Sequence, residues 1–375
     1  MISFIPSSKL EKALKTLQGR LAEVSTGLAN LSQAEQQYLN KCALISNVGA
    51  STRIENAVLT DVEIEWVDTT LSEDGTTTAF ESKKAYLLDK LSSDRERSLE
   101  EVIGCRDVLH TIYEQAEELF PLTEMSLRGL HHDLLRHYPA ANNYAGQYKK
   151  VENKVISTNH ATGEQHTVLE PTSPGVMTDI AMQELINWYN STLHEYHWPV
   201  LVAVEFIFRF LAIHPFQDGN GRLGRALFIL ALLQSKDSYL LTLTPYIAID
   251  RHIEQHKATY YRVLHECSEG KFQTDPAQYR YEKLALFFLE MLNRAINDIE
   301  LYRKRYGDLQ KLSETALAVL NIFKASPERR LKIAEIEQGT TIPRRTIQYA
   351  LKTLTDKQFI QKLGSGPGSR YQLVF

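Results

Sequence analysis

One run of the chain, His214-Pro215-Phe216-Gln217-Asp218-Gly219-Asn220-Gly221-Arg222-Leu223-Gly224-Arg225, gathers the residue types needed for transfer chemistry on a phosphate. His214 is the one group in it that exchanges a proton near neutral pH. Gly219 and Gly221 lack a Cβ, so the backbone there can bend tightly and bring its amides close to a ligand. Those amides fall where a helix begins, and a helix N-terminus with its unpaired N–H groups is an anion site. Arg222 and Arg225 are three apart, hence on one helical face, and both reach one polyphosphate. Asp218 sets a carboxylate beside that cradle, which suits Mg²⁺ bridging a nucleotide's phosphates. A base, a metal carboxylate, an amide anion hole and two arginines together describe group transfer from a nucleotide.

The elements around this run must hold it in place. Val200 to Ile213 is apolar except for Glu205 and Arg209, and Pro215 ends that helix with His214 at its carboxyl edge. Leu227, Phe228, Leu230, Ala231 and Leu232 continue an apolar face downstream, so the run is a loop opening a buried helix. Upstream, Gly146 to Leu169 reads as a β-hairpin in a helical chain: Tyr148, Val151, Val155 and Ile156, a turn at Asn159–Gly163, then His166, Thr167 and Val168. Helical spacing predicts helices over residues 8–29 and 33–47, and Gly49 to Asn56 taken alone is a turn with a Ser or Thr cap. Residues 57–140 read as helices broken by a polar loop, Ser72 to Thr78. A helix is expected over Tyr246–Glu266, carrying Tyr260 and Tyr261, and helices continue from Leu284 to Leu309. His131, His132 and His137 lack a carboxylate or thiol at ligand spacing, and His194-Glu195-Tyr196-His197 falls one residue short of the zinc-protease pattern.

The run resembles the Fic motif, His-Pro-Phe-x-(Asp/Glu)-Gly-Asn-Gly-Arg-x-x-Arg, at every specified position. The resemblance implies a mainly α fold, a Fic-type helical core with a β-hairpin flap, and transfer of AMP from ATP to a protein hydroxyl. It implies His214 as the catalytic base, Asp218 as the Mg²⁺ ligand and Gly219, Asn220 and Gly221 as the anion hole. Arg222 and Arg225 become the phosphate clamps, and the whole turn from Gly219 through Leu223, Gly224 and Arg225 becomes the ATP-binding segment. The kinase-like branch of the wider family carries Lys where this chain has Gly221, which favours nucleotidyl over phosphoryl transfer. Some relatives also carry an inhibitory helix with the signature (Ser/Thr)-x-x-x-Glu-(Gly/Asn), and Ser51, Glu55 and Asn56 fill it. By that likeness Glu55 pairs with Arg225 and holds it from the γ-phosphate. Tyr261 is expected against the nucleoside, whereas Ser268 stands where an asparagine often follows on that helix. The flap would hold a target protein, or a second copy of this chain, by strand addition. Two other readings stay open: Glu55 positioning water to remove AMP, and a DNA-binding regulator whose Fic domain senses nucleotide.

At 375 residues, with 43% hydrophobic and 23% charged content, the chain suits a globular protein of two or three domains. The expected division is an N-terminal helical region over 1–100, a catalytic core over 101–311 and a separate module over 312–375. Cys42, Cys105 and Cys267 form no C-x-x-C pair, which suits reduced thiols. With no signal-peptide pattern and no long apolar span, a cytoplasmic protein without membrane contact is expected. The overall charge of −4 is small, but residues 312–375 hold ten Lys plus Arg against five Asp plus Glu. This module resembles a winged helix-turn-helix: helices around Ala316–Phe323, Leu331–Ile336 and Pro343–Asp356, then a hairpin. Arg344, Arg345, Gln348, Tyr349 and Lys352 share its outward face. That face suits either a DNA backbone or a protein contact such as a homodimer.

Overall fold

The computed structural model describes residues 1–72, 79–91, 95–158, 165–325 and 329–375. Most of the polar loop expected over Ser72 to Thr78, and the hairpin turn at Asn159–Gly163, lie outside the described residues. In chain order the helices begin with α1 (Ser8–Leu28), α2 (Gln33–Ile54), α3 (Asp61–Ser72), α4 (Ala79–Leu91), α5 (Glu96–Gln115) and α6 (Glu124–Leu135). Strands β1 (Val155–Thr158) and β2 (Gln165–Leu169) follow, then α7 (Val176–Thr192), α8 (Pro199–Ile213), α9 (Asn220–Leu233) and α10 (Ser238–Leu243). The chain continues with α11 (Ile249–Gln255), α12 (Lys257–Ser268), α13 (Tyr281–Gln310), α14 (Glu314–Lys324), α15 (Ile333–Gln338) and α16 (Arg344–Asp356), and it ends in β3 (Ile360–Leu363) and β4 (Arg370–Leu373). Among the described residues the fold is mainly α, with two small antiparallel hairpins, β1–β2 and β3–β4.

Local chemistry sets many of these boundaries. Ser7 and Ser32 accept from the amides of Leu10 and Glu35, each capping the helix it precedes. Thr123 and Ser126 close a reciprocal capping box on α6. Pro199 opens α8, where its missing N–H costs nothing and its fixed φ suits the first helical turn. Almost every side chain of α8 and α9 is buried, because these two helices pack on one another at the centre of the core.

Residues 1–57 and 100–299 form one compact unit, and 58–99 with 300–375 form another. One break, at 99/100, falls beside the expected boundary at 100; the others fall at 57/58, where none is expected, and at 299/300 rather than 311. Segment 58–99 is grouped with the C-terminal residues: Val62 lies against their apolar core, and Glu65 approaches Lys324 at 3.5 Å. Within that unit, α14, α15 and α16 precede the β3–β4 hairpin around a core containing Val319, Phe323, Ile347, Leu351 and Leu354. A backbone bridge joins Leu331 to Tyr371. Arg344, Arg345, Gln348, Tyr349 and Lys352 are all exposed along α16, Tyr349 by 74%.

Two helical expectations differ in extent. The helix expected to stop at Asn47 continues to Ile54, so Gly49 to Ile54 is helix rather than turn. Tertiary burial decides this: Asn47 through Thr52 are all buried, and Thr52 Oγ1 satisfies the Val48 carbonyl at 2.8 Å. The continuous helix expected over Tyr246–Glu266 is instead a 3₁₀ turn, then α11 and α12, with His256 at the break between them (φ −116°, ψ 27°). Among the described residues no helix is long and apolar enough to cross a membrane.

Candidate active site

The left-handed His214 organises the site. At φ 51° and ψ 59° it leaves α8 sharply, a conformation costing a non-glycine residue on the order of 1–2 kcal/mol. Pro215 prevents the helix from continuing. His214 Nδ1 lies 3.3 Å from the Leu211 carbonyl. A carbonyl only accepts, so Nδ1 carries the hydrogen and Nε2 keeps its lone pair. Burial of the ring, reinforced by the nearby Lys149 charge, pushes the imidazole down to about 4. It is therefore neutral at physiological pH, the form a base requires.

Several groups brace the loop that follows. Asn220, the first residue of α9, accepts from the Phe216 amide at 2.9 Å and donates to the Phe216 carbonyl at 2.7 Å. His131 from α6 stacks on the Phe216 ring with centroids 3.7 Å apart and binds the Asp218 carbonyl through Nε2 at 2.9 Å. Its Nδ1 accepts from the Gly146 amide at 2.9 Å, so the tautomer is fixed and burial pushes the ring down to about 4. Gly219 takes φ +80°, where a side chain would be strained and would crowd Leu134 and His131. Asp218 accepts from its neighbour's amide at 2.6 Å, and Arg222 Nη2 lies 3.3 Å from the same oxygen. The Asp218 side chain is 37% exposed.

A cavity of about 240 Å³ opens over this loop. His214, Gln217, Asp218, Gly219, Asn220, Gly221, Arg222 and Arg225 line one side of it, and Glu55, Tyr260 and Tyr261 another. Lys154 and Val155, with Val168 and Leu169, carry the base of the hairpin into its wall. The hairpin pairs Val155 with Leu169 and Thr158 with Gln165, and its root is tied down by a bridge between Tyr148 and Phe216. Of the expected ATP-binding residues, Leu223 and Gly224 lie outside the lining. Leu223 is fully buried, and Gly224 lets Leu211 and Phe210 of α8 approach α9 closely. Ser268 is also outside it, its hydroxyl bonded to the Leu264 carbonyl and the Gly270 amide.

The two arginines have different partners. Arg225 is 1% exposed; Nε donates to Ser51 Oγ at 3.0 Å, and Nη2 donates to the Ser51 carbonyl at 2.8 Å and Glu55 Oε1 at 2.9 Å. Asp250 Oδ2 lies 3.8 Å from Nε. Burial disfavours the Arg225 charge, but Glu55, Tyr260 and Asp250 together hold the guanidinium above its ordinary range. Burial also pushes the Asp250 carboxyl up to about 6 against the pull of Arg225. Glu55 reaches in over the first turn of α9, so near that a Cβ at Gly221 would collide with its Oε1. Asn56 ends this segment at φ 74°, and Arg53 anchors it with a two-point ion pair to Glu254 at 2.7 and 3.0 Å. Arg222, 2% exposed, has Glu101 at 3.8 Å, and its Nε and Nη1 have no hydrogen-bond partner among the described residues.

Nothing in the sequence marks Lys149, Asn153, Asp250 or the part played by His131. The spacing of His131 from the motif gives no hint that the two touch. Asp250 and Lys149 stand far from the motif in sequence and carry no pattern of their own.

Residues 121–232 match the Fic/DOC family model. In three dimensions the chain is similar to a Fic family protein from Desulfovibrio desulfuricans, with 21% identity and TM-score 0.54 over 100% of this chain and 98% of that one. It is also similar to a Fic domain containing signaling protein from Bacteroides thetaiotaomicron, with 23% identity and TM-score 0.54 over 78% and 96%. A third likeness is to Fic-1 from C. elegans, with 15% identity and TM-score 0.53 over 82% and 74%. At such identities the likeness is one of fold. By the family match, residues 121–232 are a Fic/DOC family domain, and such domains typically transfer a nucleoside monophosphate to proteins.

Proposed function

We propose that the protein is an autoinhibited protein adenylyltransferase that moves AMP from ATP to a Ser, Thr or Tyr hydroxyl of a target protein or of itself. The observation that carries this reading is the convergence on one cavity of a neutral His214, the N-terminus of α9 and two buried arginines. His214 Nε2 takes the proton of the target hydroxyl. The freed oxygen attacks the α-phosphorus, the bond to the β-phosphate oxygen breaks, and pyrophosphate leaves. The α9 amides and Arg222 stabilise negative charge on the phosphates, and Tyr261 lies against the nucleoside. The orphaned Nε and Nη1 of buried Arg222 suit an anion here, and the partly exposed Asp218 carboxylate suits Mg²⁺ beside it. When bound, Mg²⁺ would neutralise phosphate charge. Target backbone would add to an edge of the β1–β2 hairpin.

In this reading Glu55, with Ser51 and Asn56, is the brake. Its carboxylate occupies Arg225 and repels a γ-phosphate. The test is transfer of label from α-³²P-ATP onto protein by the wild type, Glu55→Gly, and Glu55→Gly with His214→Ala. Label in the single variant and none in the double is expected. Equal label with and without His214 would sink the assignment. The position of Glu55 over Gly221 also supports a second reading, in which the carboxylate activates water to remove AMP. Incubating AMP-modified protein with the wild type distinguishes the two directions.

Residues 312–375 support a winged helix whose exposed α16 face binds duplex DNA. Anisotropy of labelled DNA with the full chain should then weaken steeply with salt. A flat salt response would favour protein contact, including a homodimer.

A further inference from the structure

Lys149 stands apart from the motif, yet it is only 3% exposed and its bonds converge on the turn that aims the base. Its ammonium donates to the Ile213 carbonyl at 3.1 Å and to Asn153 Oδ1 at 3.0 Å, while its backbone amide donates to the Pro215 carbonyl at 2.7 Å. Asn153, oriented by that contact, donates through Nδ2 to the Phe216 carbonyl at 2.9 Å and lies 3.4 Å from the His214 carbonyl. Two residues thus engage the carbonyls of Ile213, His214, Pro215 and Phe216 in succession. Thr172 Oγ1 adds a second donor to Ile213 at 3.0 Å.

We propose that Lys149 is a positioning residue, its buried ammonium fixing the left-handed turn that presents His214 to the cavity, with Asn153 as its second arm. The chemistry is specific. Helix α8 ends at Ile213 with unpaired carbonyls at its negative pole, and a cation there both pairs with one and opposes that pole. A left-handed histidine needs such restraint, because a relaxed turn would draw it back to the right-handed region. Burying an ammonium is costly, and only its hydrogen bonds make it tolerable. The charge has a second effect on the same group, since it disfavours a proton on His214. Burial pushes Lys149 itself down to about 8, which leaves it protonated at pH 7.

The inference rests on His214 acting as the base, so the experiment includes an arm that needs no activity. In the Glu55→Gly background, Lys149→Met and Asn153→Ala are compared by ATP kinetics and by the ring signals of His214 in NMR. Lys149→Met is expected to lower kcat about 100-fold with KM for ATP nearly unchanged, the pattern of a misplaced reacting group. Its His214 ring signals should move as well, and Asn153→Ala should shift both readouts in the same direction by less. A folded Lys149→Met protein with unchanged kcat or unmoved His214 signals overturns the proposal. If Lys149→Met does not fold, Asn153→Ala decides by the same two readouts. If Glu55→Gly transfers no label, the adenylyltransferase reading fails by itself, and the His214 signals alone decide whether Lys149 positions that ring.

Discussion

Arg222 and Arg225 lie one turn apart on α9 and border the same cavity, yet the two ends they govern are in opposite conditions. Around Arg225 the protein supplies its own partners: Ser51 through hydroxyl and carbonyl, Glu55 through its carboxylate, and Asp250 behind it. Around Arg222 two guanidinium nitrogens are buried with no hydrogen-bond partner among the described residues. Leaving such donors unmet costs on the order of 1–3 kcal/mol, a cost a bound anion would remove. One end of the cavity is satisfied from within the fold, and the other is poised for a ligand. The comparison predicts what removal of each arginine should do.

The largest effect expected is on stability. Arg225→Ala removes the cation from beside Glu55 and the fully buried Asp250, and breaking such a set costs about 3–5 kcal/mol. Arg222→Ala removes a buried cation whose own contacts are one long bond to Asp218 and Glu101 at 3.8 Å, and two of its nitrogens are unmet, so its cost should be smaller, about 1–3 kcal/mol. Urea denaturation of the two variants side by side measures this. Equal losses would erase the distinction between the two ends.

Next in size is the response to Glu55→Gly. If Glu55 stands in for a terminal phosphate, its removal should improve binding of ATP far more than of AMP. A charge-assisted contact of about 1.5–3 kcal/mol corresponds to roughly 10- to 100-fold. Calorimetric titration of both nucleotides into wild type and Glu55→Gly reads it directly. An equal gain for the two would show that Glu55 merely narrows the cavity and does not compete for Arg225.

How much of this was legible beforehand differs between the two ends for a physical reason. The Arg222 end is built from adjacent residues, because a glycine turn, a helix N-terminus and an arginine on its first turn are all local features. The sequence therefore carries them in the open from His214 to Arg225. Ser51 and Glu55 were visible only through a six-residue likeness, and the turn expected at Gly49 proved to be helix because burial overrides the local signal. Asp250, His131, Lys149 and Asn153 were not legible at all. Each acts through the fold on a partner at least 25 positions away in sequence. A lone Lys149 followed by Lys150 reads as a solvated pair, and nothing short of the fold shows that its amine is buried.

A smaller effect concerns protons. His214 on the site and His131 behind it are both pushed down to about 4, so NMR titration should find two histidine midpoints far below the ordinary 6.5. Unfolded histidines bind protons near 6.5. The stability associated with the neutral native rings is therefore complete above that pH and is lost as pH falls from 6.5 toward 4. Midpoints near 6.5 for both would mean that the rings are not enclosed, and the basis for a neutral His214 at lower pH would go with it.

The smallest effect separates the two partners of Arg225 that come from one helix. Ser51→Ala deletes the hydroxyl that receives Nε but leaves the Ser51 carbonyl and Glu55 on Nη2. The hydroxyl accepts from a charged guanidinium that keeps its other two partners, so the bond contributes about 1.5 kcal/mol, and in the autoinhibition reading its loss should raise label from α-³²P-ATP by roughly 10-fold at most. In the same reading Glu55→Gly should release far more, because it removes charge from the proposed phosphate site as well as a bond. Release by Ser51→Ala as large as that by Glu55→Gly would invert the order. The hydroxyl would then fix where the Arg225 guanidinium points, and the carboxylate would follow an arginine already held away. A double variant no more active than Ser51→Ala alone would place both residues in a single latch on Arg225.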